Sequence, residues 1–451
     1  MDEPWNLDEY PLWHGAGPMS LLAQWGSPSK LLVRGDGCWV EDAAGRRYFD
    51  ARAGICNVAL GYSRRDIAEA MYQQALDLPF ACAIRYERPA LTTVEYAKAL
   101  VARAPQGLTR VRLTHMGSAS VENALLMARL FFKNCGQPEK RHILSLQGSF
   151  HGTTLMTMTA SGDDQLHALY GPVPEGFHYV PKPLSRECHW CAQECACNGR
   201  CSDAIEQLIC ELGPENVAAF IIEPVMGSRV IVLPEGYLHK VRSLCDKYNI
   251  LLIFDEVVTA FGRLGAMFAA DLFGVTPDIM CLAKGITSGY ATLGAVLTTE
   301  RVFAGFDGPG KVHFANGSST DGHPVACAVG LAVLEAFARE NVIANAQQQG
   351  TRLKALLTEN VHDNPLVAEV RGLGAYIGIE LVRSDGTWAP LTILRKIRTK
   401  CEERGVLVHY TENTVILMPP LIISENEVDM VGTIVSEVLQ EVARKEVALQ
   451  R

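Results

Sequence analysis

Asp278-Ile279-Met280-Cys281-Leu282-Ala283-Lys284-Gly285 is an apolar run that stops on a lysine, and an earlier run, Leu251-Leu252-Ile253-Phe254-Asp255-Glu256, stops on two carboxylates. Both have the length of a strand and lack polar alternation, the pattern of a strand buried on both faces. Arg110 to Thr114 also reads as a strand, and further short apolar runs cover His142 to Leu146, Ala218 to Ile222 and Leu293 to Leu297. Apolar residues at helical spacing fill Ser120 to Phe132, Ser202 to Leu212 and Tyr237 to Tyr248. Strands separated by helices predict an α/β fold with a mostly parallel central sheet covered on both faces. Ligands of such sheets bind at the carboxyl ends of the strands, where Asp255 and Lys284 both fall.

The flanking regions read differently. Two hairpin-like runs, Lys30 to Val40 and Arg47 to Asp50, are joined by the turn residues Asp42-Ala43-Ala44-Gly45-Arg46. After about residue 320 come a long helix from Pro324 to Arg339, strands over Val370 to Leu381 and Val406 to Tyr410, and an amphipathic helix from Asn426 onward. The expected division is residues 1–64 as an N-terminal segment contributing to a smaller α+β domain, 65–320 as the large domain, and 321–451 as the C-terminal small domain. A cysteine-rich insertion occupies about 185–202 of the large domain. The sequence shows neither an internal repeat nor a low-complexity segment.

At 451 residues, 48% hydrophobic and 20% charged, the chain has the composition of a globular protein with a sizeable core. A formal net charge of -9 and the absence of a long basic run argue against nucleic acid or an anionic membrane surface as partner. The acidic start, Met1-Asp2-Glu3-Pro4-Trp5, is unlike a secretory leader, and no apolar stretch has the length of a membrane span. Cytoplasmic localisation is the expectation.

A lysine that ends a buried strand is badly placed as a solvated ammonium and well placed as a nucleophilic amine. A carboxylate ending a second strand supplies a fixed negative charge for a heteroaromatic nitrogen. Together they meet the two needs of pyridoxal phosphate chemistry: an amine to condense with the aldehyde, and an anion to keep the ring nitrogen protonated. Taken singly, each residue is equally at home as an ordinary strand end. Three further strand ends carry candidates. Met116-Gly117-Ser118-Ala119-Ser120 joins a strand to a helix whose N-terminus can receive a phosphate. Gly148-Ser149-Phe150-His151-Gly152 offers an aromatic ring for stacking, and Ile222-Glu223-Pro224 ends on a carboxylate.

In this order the pieces resemble the class III pyridoxal-phosphate aminotransferases, the ω-aminotransferase family of fold type I. The resemblance runs from Gly37-Cys38-Trp39-Val40 and Arg47-Tyr48-Phe49-Asp50 through Asp255-Glu256-Val257, Phe261-Gly262-Arg263 and Leu282-Ala283-Lys284-Gly285. It closes with Gly322-His323-Pro324, Arg371-Gly372-Leu373-Gly374 and Pro419-Pro420-Leu421. It implies Lys284 as the lysine that binds the cofactor and Asp255 as the partner of the ring nitrogen. Gly117 and Ser118 are implied as the phosphate cradle, Phe150 and Val257 as the two faces around the ring, and His151 and Glu223 as neighbours of the ring. A phosphate contact from the other subunit falls on Ser319, with Thr320 as the fallback. A homodimer or higher homo-oligomer is implied, and so is a ping-pong transfer of an amino group from an amine or ω-amino acid to a keto acid, pyruvate foremost, or an aldehyde. An aminomutase, a racemase or a decarboxylating aminotransferase would share the same lysine and aspartate. A metal or redox sensor on an inactive scaffold is the remote alternative.

The sequence also departs from the family pattern. The usual Ser-Gly-Ser-Glu reads Met116-Gly117-Ser118-Ala119. His409 stands where some relatives place a mobile arginine for the acceptor carboxylate, and a neutral imidazole is a poor substitute for a guanidinium. Arg85 is the candidate to replace it, and Cys56, in place of a bulky tryptophan, predicts a roomier pocket. The 14 cysteines are mostly scattered, but Cys188, Cys191, Cys195, Cys197 and Cys201 crowd one stretch with His189. Four thiolates there suit an iron–sulfur cluster or a structural zinc, with the iron–sulfur centre preferred.

Overall fold

The computed structural model describes residues 6, 10–15, 17–20, 27, 30–84, 87–184 and 200–449. Three strands open the chain: β1 (Leu32–Asp36), β2 (Trp39–Asp42) and β3 (Arg47–Asp50). Next come β4 (Leu108–Thr114), β5 (His142–Leu146), β6 (Phe177–Val180), β7 (Val217–Ile222), a short ribbon of β8 (Val225–Met226) and β9 (Ile231–Val232), then β10 (Leu251–Asp255), β11 (Ile279–Leu282) and β12 (Gly294–Thr299). The C-terminal part carries β13 (Val367–Leu373), β14 (Tyr376–Leu381), β15 (Val406–Leu407), β16 (His409–Thr411) and β17 (Thr414–Leu417).

The large sheet has the order β4-β12-β11-β10-β7-β5-β6. Its β11, β10, β7, β5 and β6 run parallel, while β12 is antiparallel to both neighbours. Successive residues of a strand point to opposite faces. Accordingly Leu252, Phe254, Met280 and Leu282 belong to the core on one face, and Leu251, Ile253, Ile279 and Cys281 to the core on the other. This two-sided burial is why the strands read as unbroken apolar runs.

A second sheet, β1-β2-β3-β15, joins the N-terminal strands to the C-terminal region through a parallel β3–β15 pairing. A third, β13-β14-β17-β16, is antiparallel throughout. Their common core includes Phe49, Leu353, Ile377, Leu394, Leu417 and Val435. Two expected strands divide. Val370 to Leu381 is a hairpin, broken at Gly374 with φ +53. Val406 to Tyr410 splits between two sheets, because β15 pairs with β3 and β16 with β17.

That hairpin docks by close backbone approach. A Cβ on Gly374 would lie 2.4 Å from the Leu264 carbonyl carbon, and one on Gly350, in the Val342–Val361 helix, 1.8 Å from the Gly374 carbonyl oxygen. Backbone cannot yield as a side chain does, so Gly350→Ala should cost about 1–3 kcal/mol of stability or more. A urea unfolding midpoint equal to that of the parent protein would contradict this reading of the contact.

Candidate active site

Three adjacent strands of the large sheet end at one place. Glu223 follows β7, Asp255 ends β10, and Lys284 lies two residues past β11. The parallel register pairs Asp255 with Cys281, so the carboxylate and the lysine lie only three residues apart in register. Lys284 is half-buried and opens a single 3-10 turn, Lys284–Thr287, with φ +46. A non-glycine residue there costs on the order of 1–3 kcal/mol and persists only where its surroundings impose it.

Asp255 is 5% exposed and held from two sides. The Val257 N–H donates to its Oδ1 at 3.1 Å, and Nδ1 of buried His151 lies 2.8 Å from its Oδ2. A carboxylate only accepts, so the proton of that bond sits on Nδ1. The backbone of His151 is fixed in turn, its N–H donating to Ser161 Oγ at 2.8 Å. Glu223, also buried, accepts from the Phe150 N–H at 3.1 Å and the Gly227 N–H at 2.8 Å. Burial pushes its carboxyl up to about 7; nearby Asp255 adds to the rise, and His151 and the two amides oppose it.

The Gly117–Asn134 helix aims its N-terminus at the same place. A Cβ on Gly117 would lie 3.1 Å from Val257 Cγ1 and 3.4 Å from Ala283 Cβ, so glycine lets the first helical turn close onto both strand ends. Ser120 Oγ donates to the Leu282 carbonyl at 3.0 Å and ties this helix to β11. Ser118 Oγ accepts from the Thr153 N–H at 3.0 Å. Gly152, at φ +140, permits that contact, since a Cβ there would meet Ser118 Oγ and Thr157 Oγ1 at 2.6 Å each. Motif reading passed over Ser120, Gly152 and Ser161. Only Gly152 left a signal, as a second glycine closing Gly148 to Gly152.

The remaining candidates are placed as follows. Phe150 is 48% exposed although its backbone is anchored to buried Glu223, and Val257 is half-buried. Cys56 is buried with its thiol 2.9 Å from Met418 Sδ. His409 is pushed down to about 4 by burial and by the positive charges of Arg52, Arg398 and Lys284, so its imidazole is neutral at pH 7. Ser319 and Thr320 are exposed, on a segment held by Asp321, which accepts from the Ser318 N–H at 3.0 Å and pairs with Arg112 at 3.4 Å. Thr320 Oγ1 lies 3.2 Å from Ser318 Oγ, within the same segment. Arg85, Cys188, Cys191, Cys195 and Cys197 lie outside the described residues, whereas Cys201 is buried in the main core at the start of the Arg200–Leu212 helix. Among the described residues, no group of three His, Cys, Asp or Glu is arranged to hold a metal ion, and no helix is long and apolar enough to cross a membrane.

These side chains fit pyridoxal phosphate. A phosphate needs the open helix N-terminus and the Ser118 hydroxyl; a planar ring needs the exposed Phe150 face and Val257; a ring nitrogen needs an oriented anion, which Asp255 provides. His151 Nε2, buried without a hydrogen-bond partner among the described residues, marks a polar interior beside that anion.

The Glu223 shift gives a prediction. Its folded value lies above the ordinary 4.5, so the stabilisation linked to it is complete below about 4.5 and is lost as pH rises through about 7. In cofactor-free protein the change in stability from pH 8 to pH 5 should therefore be less favourable for Glu223→Gln than for the parent. An equal change between the two pH values for parent and variant in urea titrations would contradict this assignment of the buried carboxyl.

The sequence over residues 23–439 matches the family described as aminotransferase class-III. A taurine–pyruvate aminotransferase of Rhodobacter capsulatus is 36% identical over 432 residues, covering 92% of this chain and 93% of its own. An omega-aminotransferase of Caulobacter vibrioides is 33% identical over 422 residues, covering 92% and 94%. The solved structure of an amine transaminase from an uncultivated Pseudomonas species, in PLP-bound form, superposes with a TM-score of 0.92 at 32% identity, covering 96% of this chain and 99% of that one. Similarity of this extent in sequence and in structure, over strand ends that suit the cofactor, places the chain in the class III aminotransferases, pyridoxal-phosphate-dependent enzymes of fold type I.

Proposed function

We propose that this transaminase takes the amino group of an amine or ω-amino acid and gives it to a keto acid, with pyruvate the preferred acceptor, in ping-pong order. The register that pairs Asp255 with Cys281 carries the reading, because it brings an oriented carboxylate and a half-buried lysine to neighbouring strand ends. The names of similar proteins, which act on taurine or putrescine with pyruvate, support the substrate class.

When bound, pyridoxal phosphate supplies an aldehyde that condenses with amines and a protonated ring that accepts the electron pair left when a substrate carbon loses its proton. The chain does the rest. Lys284 Nζ would be the amine that holds the cofactor's aldehyde and, when free, the base that takes and returns the substrate proton. Asp255, kept in place by His151 and the Val257 amide, would supply the counter-charge to the ring nitrogen. Gly117, Ser118 and the helix N-terminus would hold the phosphate, and Phe150 and Val257 would confine the ring. Glu223, whose carboxyl burial pushes up to about 7, is proposed as a ring-side neighbour that is only partly charged near neutrality.

Ser319 or Thr320 is proposed to complete the phosphate site of a second subunit, which makes the working unit a homodimer or a higher homo-oligomer. Their exposure and the Arg112–Asp321 clamp beneath them support this. The cysteine-rich stretch carries a separate proposal, a thiolate-held metal, iron–sulfur in preference to zinc. The burial of Cys201 in the core favours Cys188, Cys191, Cys195 and Cys197 as the ligands. Metal analysis of anaerobically purified protein decides it, and metal-free protein of full stability would reject it.

Lys284→Ala should abolish turnover and the visible band of the bound cofactor while leaving the far-UV circular dichroism unchanged. A variant that retained both turnover and band would overturn the assignment.

A further inference from the structure

The parallel pairing of β3 with β15 sets Asp50 beside Leu407, and Arg52 and His409 each lie two residues beyond that pair. Both chains lean on the same strand: the Ala51 carbonyl accepts the Met418 N–H at 2.8 Å, and His409 lies opposite Ile416. Directly after Arg52 the backbone makes a left-handed turn through Ala53, Gly54, Ile55 and Cys56, with φ of +45, +55, +60 and +62. L-residues avoid this conformation, and such strain gathers where a site demands it.

Buried Asp50 pins the turn. Its Oδ2 accepts the Gly54 N–H at 2.9 Å and the Tyr62 hydroxyl at 2.7 Å, and its Oδ1 accepts Arg52 Nε at 3.1 Å. The chain then packs on the lysine turn. Leu60 N–H donates to Ser288 Oγ at 2.8 Å, and a Cβ on Gly289 would lie 3.3 Å from Val58 Cγ2. Asp50 therefore fixes the guanidinium through Nε, and neither Nη atom donates to another group among the described residues. The side chain is 24% exposed. Arg52, Arg398 and Lys284 all place positive charge around His409, which is itself neutral.

We propose that Arg52 is a specificity-determining residue that receives the substrate carboxylate on its two Nη atoms, beside neutral His409. A guanidinium anchored at Nε keeps a pre-aimed pair of donors, the geometry that matches a carboxylate. The site thus gains its cation from the strand next to His409 rather than from position 409 itself. The inference rests on the aminotransferase reading, and the carboxylate has two sources, the keto acid acceptor and an ω-amino acid donor.

The test separates these by half-reaction in the holoenzyme, following the cofactor absorbance in Arg52→Met, Arg52→Lys and Arg85→Met. The half-saturating pyruvate concentration should rise about tenfold or more in Arg52→Met and recover in part in Arg52→Lys. The half-reaction with benzylamine, which has no carboxylate, should change less than twofold. A parallel rise for β-alanine would show that donor and acceptor share the residue; a rise for pyruvate alone would assign it to the acceptor. Unchanged pyruvate saturation in Arg52→Met, or a rise seen only in Arg85→Met, would overturn the proposal. So would equal losses with pyruvate and benzylamine, which would make Arg52 structural. Absence of any amine-driven absorbance change in the unmodified enzyme would instead sink the aminotransferase reading.

Discussion

The pairing of Asp255 with Cys281 is the constraint on which the site depends. It sets a carboxylate and an amine at the same end of the sheet without a contact between them. A slip of one residue would turn the side chains of β10 to opposite faces and send Asp255 into the core. The two hydrophobic cores prevent that slip, since Leu252 and Phe254 are committed to one face and Leu251 and Ile253 to the other. Core packing and site geometry are one requirement, and β7 extends it by bringing Glu223 alongside.

Around that register the chain spends small residues to bring backbones close. Gly117 lets a helix N-terminus reach the ends of β10 and β11, Ser120 ties it there, and Gly152 lets the Phe150–His151 loop meet Ser118. Two of the left-handed stretches, the Lys284 turn and the turn after Arg52, are tied together where the Leu60 N–H donates to Ser288 Oγ.

Much of this was legible in the sequence, for physical reasons. Strands buried on both faces are unbroken apolar runs, so the ends of β7, β10 and β11 and their terminal Glu223, Asp255 and Lys284 can be read directly. The same logic missed β6, where Phe177-His178-Tyr179-Val180 is only half-buried at the sheet edge. The opposite direction of β12 was invisible too, because a buried strand has the same composition either way. Long-range pairing leaves no local signature. The division of Val406 to Tyr410 between two sheets, and the resulting closeness of Arg52 to His409, emerge only from the fold. Ser120 and Ser161 read as ordinary helix and loop hydroxyls until their partners are known.

Lys284 is one amine among many lysines, and its bond to the cofactor is open to direct inspection. Holoenzyme reduced with borohydride and then digested should carry the pyridoxyl adduct on the peptide containing Lys284, in near-stoichiometric yield. An adduct on any other lysine, or none in protein that shows the cofactor's absorbance, would contradict it.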